Sequence, residues 1–117
     1  MILAVVDDLM FTSKIKTAAN QAGVTVAFAR SQEGAISEMR KARPSLVILD
    51  LNNPRTNPLG IVADMRNDAA LADVRTVGYV SHVMTDVINA ARQAGVGEVM
   101  ARSAFSEQLV DILRQAQ

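Results

Sequence analysis

Apolar residues along this chain follow two alternating patterns, short runs and longer stretches with helical spacing. The clearest run is Leu46–Asp50, which follows Pro44 and ends on a carboxylate. A short run that is apolar at successive positions is typical of a strand buried on both faces, as in a parallel sheet covered by helices. This and related patterns predict strands at Ile2–Val6, Val24–Ala29, Leu46–Asp50, Thr76–Val80 and Glu98–Ala101.

Between these strands, apolar residues recur at the spacing of helices that bury one face. Three of the predicted helices are Leu9–Ala22, Leu59–Asn67 and Asp86–Ala94. The second helix along the chain is capped by Ser31 and has Ala35, Met39 and Ala42 on its apolar face. The last helix is capped by Ser106 and reaches Ala116. Gly23 and Gly95 are good stops for the first and fourth helices. Residues 51–58 contain two prolines and three asparagines, which predict a loop without regular structure.

Strands and helices therefore alternate without a break through a single domain, residues 1–117. Right-handed connections between parallel strands leave few arrangements for such a chain. We predict an α/β fold with a doubly wound, five-stranded parallel sheet in the order 2-1-3-4-5 and helices on both faces.

Composition narrows the range of functions. Lys plus Arg and Asp plus Glu number 12 each, and this balance argues against non-specific nucleic-acid binding. The absence of cysteine excludes disulfides and thiolate metal sites. No apolar run approaches the roughly 20 residues that span a bilayer, and the N-terminal apolar run meets two aspartates at once, unlike a signal peptide. We expect a cytoplasmic protein without membrane or nucleic-acid contacts.

Acidic residues follow two strands that the predicted order makes neighbours. Asp7 and Asp8 come after the first strand and Asp50 ends the third, so all three are expected at the crevice where the winding of the sheet reverses. Two carboxylates about 4 Å apart repel by roughly 4 kcal/mol at an effective dielectric near 20. Three of them therefore require a shared proton or a cation, and such hard oxygen ligands suit Mg²⁺.

Two more polar residues, Ser81 and Arg102, follow the fourth and fifth strands. Ser81 could donate a hydrogen bond to a phosphoryl oxygen, and Arg102 could pair with another. Together with the acids and Mg²⁺ they indicate a site that forms an aspartyl phosphate on Asp50. Taken alone, Ser81 could equally be a strand-end hydroxyl and Arg102 a surface charge. His82, the only histidine, is expected in a partly exposed loop.

These residues also carry a family resemblance. The chain resembles the receiver domains of bacterial two-component response regulators over nearly its whole length. Residues 5–8 are similar to the first strand and acid pair of that family, residues 43–51 to its third strand and phosphoacceptor, and Ala94-Gly95 to the approach to its fifth strand. The resemblance implies a flavodoxin-like (βα)5 fold and phosphorylation of Asp50 by a histidine kinase or phosphotransfer protein.

The same resemblance implies a role for each site residue. Asp8 and Asp50 would bind Mg²⁺ directly, Asp7 would bind it through water, and the backbone carbonyl of Asn52 would add a ligand. Ser81 matches the switch hydroxyl of the family. A downstream protein partner would bind the surface of the fourth helix, fifth strand and fifth helix, and the chain could also form a homodimer.

The chain departs from the family pattern at several positions, which indicates an atypical receiver. The family lysine after the fifth strand is Arg102, the next proline is Ser103, the aromatic residue of the fifth strand is Val99, the small residue after the switch hydroxyl is His82, and the loop glycine, Gly60, comes late. Arginine does not substitute freely for lysine at a tight phosphate site. The departures therefore concern the switch more than the metal site.

Other functions compete with a phosphorylated receiver. A degenerate receiver would act as a phosphorylation-independent interaction or dimerisation module. A small metal-dependent phosphatase would need an acid two residues beyond its aspartate nucleophile, where this chain has Asn52. Residues 95–97 imitate part of a dinucleotide-binding motif but precede a strand instead of following one. The enzymatic activity we expect is at most self-phosphorylation and dephosphorylation at Asp50, in a receiver that stands alone or has lost an output domain.

Overall fold

The computed structural model of the chain describes residues 1–81 and 84–116. The strands are β1 (Ile2–Val5), β2 (Val26–Ala29), β3 (Leu46–Asp50), β4 (Arg75–Val80) and β5 (Glu98–Ala101). The helices are α1 (Leu9–Ala22), α2 (Gln32–Lys41), α3 (Pro58–Arg66), α4 (Thr85–Ala94) and α5 (Arg102–Gln115). All strand pairs are parallel, in the order β2-β1-β3-β4-β5, which confirms the predicted fold.

The helices form two layers, one on each face of the sheet. On one face α1 and α5 bury Phe11, Ile15, Phe105 and Leu109 against the strands. On the other face α2, α3 and α4 contribute aliphatic residues and methionine, such as Met39. Among the described residues, the second layer buries no aromatic side chain, so aromatic rings pack only one of the two faces of the sheet.

Strand β3 lies at the centre of the sheet, as its apolar run predicts. Its side chains alternate between the two layers: Val47 and Leu49 pack with α2 and α3, whereas Leu46 and Ile48 pack with α1 and α5. All of its positions are buried. This central strand fixes the position of Asp50, its last residue.

Side chains of the local sequence cap three of the helices. Asp8 caps α1, Ser31 accepts a hydrogen bond from the Gly34 N–H at 3.0 Å at the start of α2, and Asn57 caps α3. The predicted stop at Gly23 is confirmed, because this residue adopts the left-handed conformation with φ of 72° that glycine reaches without steric cost.

Some predicted boundaries are wrong. Helix α5 begins at Arg102, directly after β5, and not at a cap on Ser106. The earlier start places Phe105 within the helix, where it is fully buried against the sheet. Burial of this ring thus outweighs the capping preference of the serine.

Three smaller predictions also differ from the structure. Ala42 is exposed beyond the end of α2, and Val24 precedes β2, because its N–H donates to the Ala19 carbonyl at the end of α1. The loop after β3 contains a 3₁₀ helix at Pro54–Thr56. A proline at a first helical position favours such a turn, since its missing N–H needs no partner there.

No helix within the described part of the chain is both long and apolar enough to cross a membrane.

Candidate functional site

The polar residues that follow the strands lie at the carboxyl edge of the sheet. Strands β1 and β3 pair in register up to Val5 and Leu49. Asp50 therefore ends β3 beside the point where the chain leaves β1 for Asp7 and Asp8. The sheet thus places all three predicted acids at one edge, on its two central strands.

Asp50 is a buried carboxylate, only 4% exposed. One oxygen, Oδ1, accepts a hydrogen bond from the Asn52 N–H at 3.0 Å. Among the described residues, no group donates a hydrogen bond to the other oxygen, Oδ2. Burial raises the pKa of Asp50 above its ordinary value, and the charges of Asp8 and Asp7 add to this, while the Asn52 N–H and the charge of Arg102 act in the opposite direction. The charges of Asp7, Asp8 and Arg102 thus all act on Asp50, whose Oδ2 accepts no hydrogen bond from the part of the chain that the structure describes.

Asp7 has two partners from the loop after β3. Its Oδ2 lies 3.2 Å from Nη2 of Arg55 in an ion pair, and its Oδ1 accepts a hydrogen bond from the Asn53 side-chain amide. The Asp7 side chain is 16% exposed, and that of Arg55 is 78% exposed. A cation supplied by the chain itself thus balances the charge of Asp7.

Asp8 is held by the start of α1. Its Oδ1 accepts hydrogen bonds from the N–H groups of Met10 at 2.8 Å and Phe11 at 3.4 Å. A carboxylate at this position also interacts favourably with the positive end of the helix dipole. Asp8 therefore serves as a helix cap in addition to its predicted role in the site.

Asn52 links the ends of two strands. Its side-chain Oδ1 accepts a hydrogen bond from the Ser81 N–H at 2.8 Å, and its side-chain amide contacts the sulfur of Met84, just before α4. Ser81 is half-buried at the end of β4. Asn52 therefore hydrogen-bonds both Asp50 and the backbone of Ser81, the residue predicted to supply the switch hydroxyl.

Arg102 lies at the first position of α5, and its side chain stacks on aromatic rings. The guanidinium carbon is 5.2 Å from the centroid of Phe11 and 5.8 Å from that of Tyr79, a geometry that gives a cation–π attraction. In the described parts of the chain, no carboxylate forms an ion pair with Arg102. Its charge still lowers the pKa of Asp50. His82 lies outside the described residues.

An aromatic stack that no sequence pattern predicts lies beside Asp50. Tyr79 lies between Phe11 and Phe105, with ring centroids 4.6 Å and 4.8 Å away. It is directly opposite Asp50 in the pairing of β3 with β4. Its hydroxyl is buried and has no hydrogen-bond partner within the described residues. The rings come from three distant segments, so the only sequence signal was the helical spacing of Phe105, Leu109 and Leu113.

The donor set fits Mg²⁺ in chemistry, because carboxylate and carbonyl oxygens are the ligands this ion prefers. Within residues 1–81 and 84–116, however, no group of three or more acidic or histidine side chains is arranged to hold a metal. Each acid has its own partner: Arg55 and Asn53 bind Asp7, the start of α1 binds Asp8, and the Asn52 N–H binds Asp50. The three acids therefore lie at one edge of the sheet, and different described residues hold each of them.

Comparisons with known proteins identify the same architecture. The family model of the response regulator receiver domain matches residues 2–114. The phosphorylated cyanobacterial phytochrome response regulator RcpA is 25% identical, with a TM-score of 0.80, over 97% of this chain and 88% of that one.

Two further structures share the fold. They are the chemotaxis response regulator CheY4 of Vibrio cholerae (19% identity, TM-score 0.83, 99% of this chain and 97% of that one) and the receiver domain of NtrX from Brucella abortus (17% identity, TM-score 0.82, 99% and 97%). None of the curated proteins compared with the chain matches it.

Proposed function

Because this chain belongs to the family of response regulator receiver domains, we propose that Asp50 accepts a phosphoryl group from a histidine kinase or phosphotransfer protein. Phosphorylation then changes how a protein partner binds the surface formed by α4, β5 and α5. The observation that carries the proposal is the buried Asp50 carboxylate at the end of the central strand, with one oxygen held and the other without a donor in the described structure.

The chemistry follows from this arrangement. The Asn52 N–H holds Oδ1 of Asp50 and leaves Oδ2 to attack phosphorus. One O–P bond forms while the P–N bond of a phosphohistidine breaks, and the imidazole nitrogen leaves with the electron pair. The product is an acyl phosphate on Asp50.

Asp8, Asp50 and the backbone carbonyl of Asn52 would hold Mg²⁺ directly, with Asp7 acting through water. When bound, the ion supplies positive charge that reduces repulsion between the Asp50 carboxylate and the incoming phosphoryl group. Asp8 also caps α1 through its Oδ1, which would couple ion binding to the start of that helix. Receiver domains as a family are Mg²⁺-dependent, and this chain is proposed to follow them.

Ser81 and Arg102 are proposed to act after transfer. The Ser81 hydroxyl, at the end of the neighbouring strand, donates a hydrogen bond to a phosphoryl oxygen. Arg102 moves from the rings of Phe11 and Tyr79 toward the new negative charge. Because Arg102 is the first residue of α5, this side-chain movement would change the charge at the edge of the proposed partner surface.

The test is incubation of the whole chain with acetyl phosphate or phosphoramidate and Mg²⁺, followed by intact-mass measurement. We expect the wild type to gain one phosphoryl group and Asp50→Asn to gain none. Asp111→Asn, which removes an exposed carboxylate from α5, is the matched control and is expected to behave like the wild type. Absence of a mass gain, together with unchanged partner binding by Asp50→Asn, would favour the phosphorylation-independent interaction module instead.

A stability measurement tests whether Asp50→Asn is folded. Burial raises the pKa of Asp50 in the folded protein above its ordinary value of 3.8. Ionisation of this group therefore lowers the stability of the wild type as the pH rises from the unfolded-state pKa through the higher folded-state pKa. We expect Asp50→Asn to match the wild type at lower pH and to exceed it at neutral pH, by on the order of 1 kcal/mol. Urea denaturation at several pH values measures the difference.

A further inference from the structure

Arg55 is the cation of the candidate site that the family resemblance does not account for. It comes from the 3₁₀ helix after β3 and forms an ion pair with Asp7, an acid proposed to face Mg²⁺. The Asn53 amide holds the other oxygen of the same carboxylate. Both oxygens of Asp7 are therefore occupied by groups of one loop.

The fold itself places Arg55 at this position. The Asn53 side chain donates to Asp7 through its amide and accepts the Arg55 N–H at 2.9 Å through its carbonyl oxygen. The hydroxyl of the fully buried Thr56 donates to the backbone carbonyl of Asn53 at 3.2 Å. Pro54 begins the helical turn. One asparagine thus ties the backbone of Arg55 to the acid with which its side chain pairs.

We propose that Arg55 is a built-in counter-ion of the acidic site and competes with a divalent cation for Asp7. The inference rests on the proposed function, since it concerns the same Mg²⁺ ligands. Like-charged carboxylates at this edge need a cation, and the guanidinium supplies one when no metal is bound. A divalent ion must displace Arg55 from Asp7 before that carboxylate can face it, even through water, so the pair lowers the metal affinity.

The exposure of Arg55 sets the size of this effect. The guanidinium is largely in solvent and pairs with a mostly buried carboxylate, and ion pairs with an exposed partner are weak. Release of Arg55 therefore requires little rearrangement. The pair adjusts the affinity of the site for the ion without closing it.

Isothermal titration of the whole chain with MgCl₂ tests the proposal. We expect Arg55→Gln to bind Mg²⁺ about two- to fivefold more tightly than the wild type, which is the change that loss of one exposed ion pair gives. Arg55→Lys keeps the charge and is expected to stay near the wild-type affinity. Arg114→Gln is the matched control, because it removes an exposed arginine that is also in an ion pair. Arg114 lies near the end of α5, where the Ser45 hydroxyl donates to the Ala116 carbonyl. Ser45 precedes β3, so this end of α5 lies at the edge of the sheet opposite Asp50.

Each other outcome overturns the proposal in a distinguishable way. Equal or weaker binding by Arg55→Gln, with Asp50 still phosphorylated, removes the role of Arg55 and leaves the receiver function intact. An equal gain in Arg114→Gln shows a general effect of net charge and not competition at Asp7. If neither the wild type nor Arg55→Gln binds Mg²⁺, the proposed metal site fails together with this inference.

Discussion

The helices on either side of β5 begin in the same way and are held very differently. Among the described residues, no side chain caps the first turn of either α4 or α5. Helix α5 nevertheless buries Phe105, Leu109 and Leu113, whereas Ala91 is the buried residue of α4. The larger apolar residues of α4, Val87 and Ile88, are only half-buried.

This difference shows that buried side chains, and not caps, fix the helices around the proposed partner surface. A fully buried aromatic ring contributes several times the stabilisation of one buried methyl group. Segments with few buried apolar contacts open at lower free energy than the rest of a fold. We infer that α4 is the element that moves at least cost and that α5 stays fixed to the sheet.

Removal of the ring that anchors α5 should give the largest effect. We expect Phe105→Ala to lower the free energy of unfolding by about 3–5 kcal/mol. Phe105→Leu keeps most of the volume and is expected to cost less than about 1.5 kcal/mol, so it remains folded if the alanine variant does not. Ile88→Ala in α4 is the comparison, with an expected loss below about 2 kcal/mol. Urea denaturation measures all three, and equal losses in the two helices would contradict the difference.

Adding a cap to α4 should stabilise this helix and so reduce its difference in stability from α5. Met84 occupies the cap position, but its sulfur contacts the Asn52 amide and does not cap the first turn of the helix. We expect Met84→Ser to stabilise the protein by about 0.5–1 kcal/mol and to slow amide hydrogen exchange in α4. Ser31→Ala, which removes the existing cap of α2, should cost about 1 kcal/mol. If Ser31→Ala destabilises the protein while amide exchange in α4 stays unchanged in Met84→Ser, the missing cap is not the cause of the low stability of α4.

The smallest expected change separates the stacked ring of Tyr79 from its hydroxyl. The hydroxyl is buried without a partner in the described structure, which costs free energy. Tyr79→Phe keeps the stack with Phe105 and should raise the free energy of unfolding by up to about 1 kcal/mol. Tyr79→Leu loses the stack and should lower it. Destabilisation by Tyr79→Phe would instead show that the hydroxyl has a stabilising role.

Local patterns in the sequence were sufficient for most of the fold. The run at Leu46–Asp50 predicts a central buried strand, and the alternation of strands and helices predicts the sheet order; both are confirmed. These features depend on periodicity within short segments. The start of α5 was missed because Ser106 has the chemistry of a cap, while the true start depends on contact between Phe105 and a distant strand.

The candidate site was predictable in position but not in detailed contacts. Strand ends gave the location of Asp7, Asp8 and Asp50, because the carboxyl ends of parallel strands meet at one edge. The ion pair of Asp7 with Arg55 has no periodic signal, since the arginine lies in an irregular loop. The stacking of Arg102 on Phe11 likewise depends on how α1 and α5 meet. Such contacts arise only once the chain is folded.

The position of Tyr79 has a practical consequence. It is the only tyrosine, and the chain has no tryptophan, so intrinsic fluorescence excited in the near ultraviolet comes from this one ring. The ring lies opposite Asp50 in the sheet and contacts the guanidinium of Arg102. A change of charge at Asp50, or a departure of Arg102, would alter its emission. The unmodified chain thus carries its own optical reporter next to the aspartate proposed to be phosphorylated.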